Sequence, residues 1–198
     1  MSYRIKRCLP EHLRTDAARL YWSAFGAKLG RVLAPEDQAL HFIARAIDPS
    51  HVYCAISSDG ELLGVAGFRT PHGTFVGCEQ AHLRASYGRL GGMWRMACLA
   101  VLGGDHEHRA MIVDGISVRP DMRGSGIGAA LIEALCHTAR RRGYGQLRLD
   151  VVAENTRARA LYERIGFVVT HRRSRRLTAM LFRFRTVLIM RRDLGDLG

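Results

Sequence analysis

The segment Arg123-Gly124-Ser125-Gly126-Ile127-Gly128-Ala129 follows a strand-like run and opens a helical pattern. A helix start leaves its first amide N–H groups without acceptors and carries partial positive charge. Glycines let such a backbone close on a diphosphate without Cβ clashes. Arg123 adds a full positive charge at the rim. The spacing therefore predicts a loop that binds a polyphosphate group. Two familiar phosphate loops do not fit. A Walker A loop ends in Gly-Lys-Ser/Thr, and the only lysines are Lys6 and Lys28. A dinucleotide fingerprint, G-x-G-x-x-G/A, is formally present from Gly124 to Ala129, but Arg119–Arg123 separates it from the preceding strand. Its acidic partner should close the next strand, whereas Asp150 lies inside Leu147–Val152.

Other candidate groups say less. Asp105-His106-Glu107-His108 has metal-ligand types, but nothing else of that kind lies at a useful spacing, so the sequence predicts a solvated loop and no metal. The five cysteines, Cys8, Cys54, Cys78, Cys98 and Cys136, form no CxxC pair. Buried, reduced thiols are the expectation for a cytoplasmic protein.

These groups must be positioned by regular elements. Tyr3–Arg7 alternates as a first strand. Leu13, Ala17, Leu20, Tyr21, Ala24 and Phe25 share one helical face, with Gly26 as the expected stop. Pro35-Glu36-Asp37 opens a second helix that closes at Asp48-Pro49. His51–Ser57 and Glu61–Phe68 flank Ser58-Asp59-Gly60, a hairpin signature. The order is β-α-α-β-β. Residues 70–110 break this rhythm: an irregular stretch precedes a helical pattern through Leu83, Tyr87, Leu90, Met93 and Trp94, interrupted at Gly88, Gly91 and Gly92. Its aromatic and Met side chains suit either core or a cleft wall.

Met111–Val118 then reads as a strand whose interior Gly115 marks a bulge or a close backbone approach. A helix runs from Gly126 to Gly143, and Leu147–Val152 is another strand. Asn155 starts a short helix whose inner face is Ala158, Leu161, Tyr162 and Ile165. Phe167–Thr170 and Leu181–Met190 are the last expected strands, separated by the Arg-rich stretch His171–Arg176.

The whole chain has 198 residues, 47% of them hydrophobic and 24% charged, which suits one globular domain over 1–198. No apolar run reaches the about 18 residues of a membrane span, and no hydrophobic stretch follows the charged N-terminus as in a signal peptide. A soluble, cytoplasmic protein without a membrane partner is expected. The formal charge of +12 comes almost wholly from Arg. It admits nucleic acid or a phosphorylated small molecule, yet there is no RNP-like motif, zinc-finger spacing or recognition helix, so no specific nucleic-acid partner is predicted. Oligomeric state is not legible, and a homodimer is compatible with the sequence.

Arg123-Gly-Ser-Gly-Ile-Gly128 resembles the Q/R-x-x-G-x-G/A motif of the GNAT superfamily of acetyl-CoA-dependent N-acetyltransferases. Asp114-Gly-Ile-Ser-Val-Arg-Pro120 resembles that family's bulged fourth strand. Leu147–Val152, Asn155 and Ala160-Leu-Tyr-Glu-Arg-Ile-Gly-Phe167 resemble its second cofactor motif. The resemblance is strong over 111–170 and looser elsewhere. It implies an α/β (α+β) fold: a mixed, mostly antiparallel central sheet flanked by helices, splayed at the fourth strand, with a helical insertion between strands 3 and 4.

It also implies acetyl-CoA as co-substrate, with no metal, and direct attack by a primary amine in a ternary complex. The loop Arg123, Gly124, Ser125, Gly126, Ile127, Gly128 and Ala129 would hold the pyrophosphate. Backbone groups of Ile116, Ser117 and Val118 would hold the pantetheine arm and the thioester carbonyl. Tyr162 occupies the position of the family's tyrosine beside the sulfur, where a phenol with an ordinary pKa near 10 donates to the leaving thiolate; it equally obeys the spacing of a core residue. Asn155 contacts the cofactor arm or only caps its helix. Asp114, on the face of Ile116 and Val118 by simple alternation, serves as a general base or is a strand residue neutralised by an arginine.

The implied acceptor is a small-molecule or amino-acid-like amine, with a protein N-terminus or lysine as the rival. A non-catalytic acetyl-CoA sensor is a further alternative. The acceptor's walls would be the N-terminal helices, the 70–110 insertion and residues 171–185, with Tyr21, Trp22, Phe25, Tyr87 and Trp94 as candidate aromatic lining.

Overall fold

In the computed structural model, residues 2–101, 109–174, 176–182 and 184–195 are described, so the His106/His108 pair lies outside the described residues. The strands are β1 (Tyr3–Arg7), β2 (Val52–Ser57), β3 (Leu62–Thr70), β4 (Gly73–Thr74), β5 (Ala110–Val118), β6 (Gln146–Val152), β7 (Val168–Ser174) and β8 (Thr186–Asp193). The helices are α1 (Arg14–Leu33), α2 (Glu36–Ala46), α3 (Gln80–Ala100), α4 (Ile127–Arg141), α5 (Thr156–Arg164) and α6 (Arg176–Phe182). The strands form one mixed sheet in the order β1-β2-β3-β5-β6-β8-β7, with β4 beside β3. Every pairing is antiparallel except β5 with β6. Two-residue β4 makes β5 the strand expected as the fourth.

Apolar residues on both faces of the sheet need two covers. Ala17, Leu20, Phe42, Ile43, Leu83 and Phe182 bring α1, α2, α3 and α6 onto one face. On the other, Ile127, Leu131, Leu135 and Ala139 of α4 cover Leu63, Phe68, Met111 and Leu147, with α5 packing beside them. β3 is buried almost end to end, as its run Leu-Leu-Gly-Val-Ala-Gly-Phe requires of a strand covered twice.

Three boundaries differ from the sequence expectation. α1 does not stop at Gly26 but runs to Leu33, because its C-terminal half packs along α6, where Arg31 donates to the Met180 carbonyl at 2.7 Å; tertiary contact outweighs glycine's weak helix propensity. The helical pattern after residue 80 is two segments joined at Gly88, whose φ of 72° breaks the helix. The Arg-rich stretch is not a loop: His171–Ser174 completes β7 against β8, and Leu181 and Phe182 belong to α6 instead of a strand. Among the described residues no helix is long and apolar enough to cross a membrane.

Candidate active site

The site begins with one extra residue in β5. Gly67 pairs with Gly115, but Phe68 pairs with Val113, so Asp114 is the inserted residue of a bulge. The bulge reverses which side chains face which cover. Before it, Met111 and Val113 point to the α4 side; after it, Ile116 and Val118 do so. Asp114 therefore projects to the α1 side, not to the face of Ile116 and Val118 as unbroken alternation implies. Gly115 turns the same way. A Cβ there would lie 2.9 Å from Phe25 Cζ, so only glycine admits α1 this closely.

The same irregularity opens the sheet. β5 and β6 pair from Ala110↔Gln146 to Val113↔Leu149 and no further. Beyond that point β5 is held by β3 alone and β6 by β8 alone, leaving a wedge. The phase of hydrogen bonding follows from Arg119, whose amide donates to the Leu63 carbonyl at 2.9 Å. Counting back in steps of two, Ser117 and Gly115 direct their backbone groups to β3. Ile116 and Val118 direct theirs into the wedge. Ser117 is thus withdrawn from the role the resemblance gave it: its backbone faces β3, and its hydroxyl, 3% exposed with its residue, donates to the Leu20 carbonyl at 2.7 Å.

At the wide end of the wedge stands the glycine loop. Gly124 and Gly126 have φ of 93° and 87°, a left-handed conformation that favours glycine. Arg123, Gly124, Ser125 and Gly126 are exposed. No side chain caps the start of α4, so the amides of Ile127, Gly128 and Ala129 keep the free donors of a helix terminus. The Ile127 side chain itself is core. Ser125 differs from expectation, since its amide and hydroxyl both turn to the Met122 carbonyl, at 3.4 and 2.6 Å. Arg123 folds back, its Nε donating to the Val118 carbonyl at 3.2 Å. Arg119 is engaged with Glu61 and Asp121.

α5 lies against the α4 side of this opening, its Leu161 reaching Gly128. Tyr162 packs in the cluster that includes Ile116 and Val118, with its ring centroid 5.9 Å from that of Phe167. Burial pushes its phenol up to about 12, so it holds its proton at neutral pH. Asn155 accepts the Ala158 amide at 3.2 Å, which is the capping role.

The α1 side of the wedge carries a different set. The Asp114 carboxylate accepts Arg69 Nη2 at 2.6 Å on one oxygen and the Thr74 hydroxyl on the other. Thr74 is held in place by the β3–β4 ribbon. One residue past the last β5–β6 pair, Asp150 projects from β6 to the same side, ion-paired with Arg148 at 3.0 Å. Tyr21 and Phe25 lie over Gly115, their ring centroids 4.6 Å apart. Of the five expected lining aromatics, these two reach the bulge. Trp22 packs against the core, the Tyr87 hydroxyl donates to the Leu33 carbonyl, and Trp94 is half-exposed.

Arg69 and Thr74 carry no signal in the sequence, and Asp150 stands out there only as an acidic residue misplaced for a dinucleotide fingerprint. The Gly115 bulge signal bears on Asp114, whose side of the sheet it inverts and so brings to Arg69 and Thr74. Among the described residues, no three His, Cys, Asp or Glu side chains gather as a metal site.

Comparison with known proteins supplies an independent line. The chain is 40% identical over 58 residues to thialysine N-epsilon-acetyltransferase of Bos taurus, and 46% identical over 52 residues to the [ribosomal protein bS18]-alanine N-acetyltransferase of Escherichia coli K12. These matches cover 29% and 26% of this chain, and about a third of each relative: 34% and 35% of their lengths. The crystal structure of a GCN5-related N-acetyltransferase from Kribbella flavida superposes with a TM-score of 0.64 at 17% identity, covering 96% of this chain and 97% of that one, which speaks to the fold. A sequence profile of the acetyltransferase (GNAT) family, whose members use acetyl-CoA, matches residues 14–167. The chain belongs to the GNAT acetyltransferase family.

Proposed function

We propose that this chain is an acetyl-CoA-dependent N-acetyltransferase that transfers the acetyl group to the primary amine of a small molecule by direct attack in a ternary complex. One observation carries the reading: the β5–β6 wedge has the backbone groups of Ile116 and Val118 on its lip, the uncapped α4 terminus at its wide end and the protonated Tyr162 phenol beside it. The donor set suits a long cofactor with a diphosphate at one end and a polarisable carbonyl at the other.

When bound there, acetyl-CoA supplies a thioester whose carbonyl carbon accepts the amine lone pair. The Ile116 and Val118 edge orients that carbonyl and stabilises the charge that develops on its oxygen. Tyr162 gives its proton to the departing sulfur as the C–N bond forms and the C–S bond breaks. The acceptor enters from the α1 side, where Asp114 and Asp150 flank the opening and hold its ammonium. The ammonium first loses one proton through water along that lip, which frees the lone pair; the proton shed by nitrogen after the attack leaves the same way, and Tyr162 regains a proton from solvent as the thiol departs. Asn155 acts through its helix cap, and Ser117 by tying α1 to β5.

The test is thiol release from acetyl-CoA, followed by mass spectrometry of the products, across a panel of small amines, free-N-terminal peptides and lysine peptides. Turnover restricted to small amines is expected. Coenzyme A binding with no turnover on any amine would establish a sensor instead, and selective peptide acetylation would move the acceptor to proteins. The Arg-rich surface is read as background. Duplex DNA should show no strong, salt-dependent association.

A further inference from the structure

We infer that the acceptor amine carries a carboxylate, and that Arg69 and Tyr21 hold it on the α1 side of the wedge; this rests on the acetyltransfer reading and names the substrate class of that site. Arg69 projects from β3 opposite Ile112, on the side where the acceptor enters. Its Nη2 is fixed by Asp114, which Thr74 fixes in turn. The guanidinium is therefore pre-oriented, which is what a planar fork needs for bidentate recognition of a carboxylate. Its Nε and Nη1 make no hydrogen bond among the described residues, and the side chain is 36% exposed against 12% for Asp114. The pair is thus buried on its aspartate side and open on its arginine side.

Tyr21 supplies a second donor at the same place. Its ring lies over Gly115, with Cε2 3.6 Å from where a Cβ would stand, one residue from the Ile116 lip. Its hydroxyl makes no hydrogen bond among the described residues. Burial, reinforced by the Asp114 charge, raises the phenol above its ordinary range, so it remains a donor.

An amine without an anionic group would desolvate these donors and leave them unpaired, which is unfavourable. A zwitterionic amino acid uses both halves of the site. Its carboxylate meets Arg69 and Tyr21, and its amine lies along the acidic lip of Asp114 and Asp150. The spare donors are what separate this from a merely structural ion pair.

The experiment compares three acceptors that differ only at the carboxyl group: an α-amino acid, its carboxamide and its decarboxylated amine. In the wild-type protein kcat/KM should favour the free amino acid by about 100-fold, the scale of losing hydrogen bonds to a charged group at a partly open site. Arg69→Gln should erase that preference through KM, with coenzyme A affinity by calorimetry unchanged. Tyr21→Phe, which keeps the ring over Gly115, should reduce the preference by about tenfold and covers the case in which Arg69→Gln misfolds. Equal turnover of the three acceptors by the wild type would overturn the carboxylate site while leaving acetyltransfer intact. No turnover on any of them or on other amines, with coenzyme A bound, would overturn the acetyltransfer reading and this inference with it.

Discussion

Replacing Gly126 with alanine isolates what the backbone of the loop contributes. An ideal Cβ at Gly126 meets nothing within 4 Å, so the substitution has no steric cost from neighbours. Its φ of 87° and ψ of −8° place it in the left-handed region, where a Cβ costs about 1–2 kcal/mol relative to glycine. If the loop keeps its shape, that cost appears as lost folding stability with coenzyme A affinity unchanged. If the loop relaxes away from the left-handed region, stability is retained and binding must restore the strained form. Affinity then falls by about 5- to 30-fold, since 1.4 kcal/mol is a factor of ten. The two losses are linked, so their sum should be about 1–2 kcal/mol however it divides. Calorimetric titration with coenzyme A and denaturant unfolding on the same sample measure both terms. Gly126→Glu adds a carboxylate at the diphosphate position and should lose more affinity than Gly126→Ala for the same backbone strain. A sum near zero for alanine, or equal affinities for the two variants, would refute the loop as the diphosphate cradle.

Tyr162→Phe should lower kcat by about 100-fold while leaving coenzyme A affinity intact; an unchanged kcat in steady-state assays removes the general-acid role. Because burial holds the Tyr162 phenol near 12, the wild-type rate should show no alkaline fall from this group until the pH approaches that value, which a pH–rate profile checks. Gly115→Ala brings a Cβ within 2.9 Å of Phe25 and should raise the acceptor KM by tilting that ring, with coenzyme A binding unaffected in calorimetry. The Cys54 thiol and the Tyr162 phenol both bind their protons more tightly in the folded state, each pushed up to about 12 by burial. Their contribution to stability is therefore complete below the ordinary thiol and phenol range and is lost as the pH rises through about 12; urea midpoints over that range should fall, and Cys54→Ala should flatten the decline.

The glycine loop, the bulge signal at Gly115 and the helix bearing Tyr162 were legible in the chain because each depends on local chemistry. A left-handed turn demands glycine, a helix start demands free amides, and an apolar face repeats at helical spacing. Boundaries set by packing were less legible. Gly26 reads as a helix stop, yet α1 passes through it to meet α6, and the arginines of β7 read as a loop although β8 provides a strand partner. Neither partner is adjacent in sequence.

The α1 side of the wedge was beyond local reading altogether. Asp114 was visible, but its side of the sheet depends on one inserted residue in β5 relative to Gly67 and Phe68 of β3. Arg69, Thr74 and Asp150 gain their place only through strand pairing, which lets Arg69 reach Asp114, 45 residues away in the chain. The amino-acid sequence by itself therefore determined the glycine loop and the free amides of the α4 start, which depend on local conformation. Only the tertiary structure decided the direction of the Ile116 and Val118 backbone groups and the set on the α1 side of the wedge, because register, bulge and splay bring together groups that no local spacing connects.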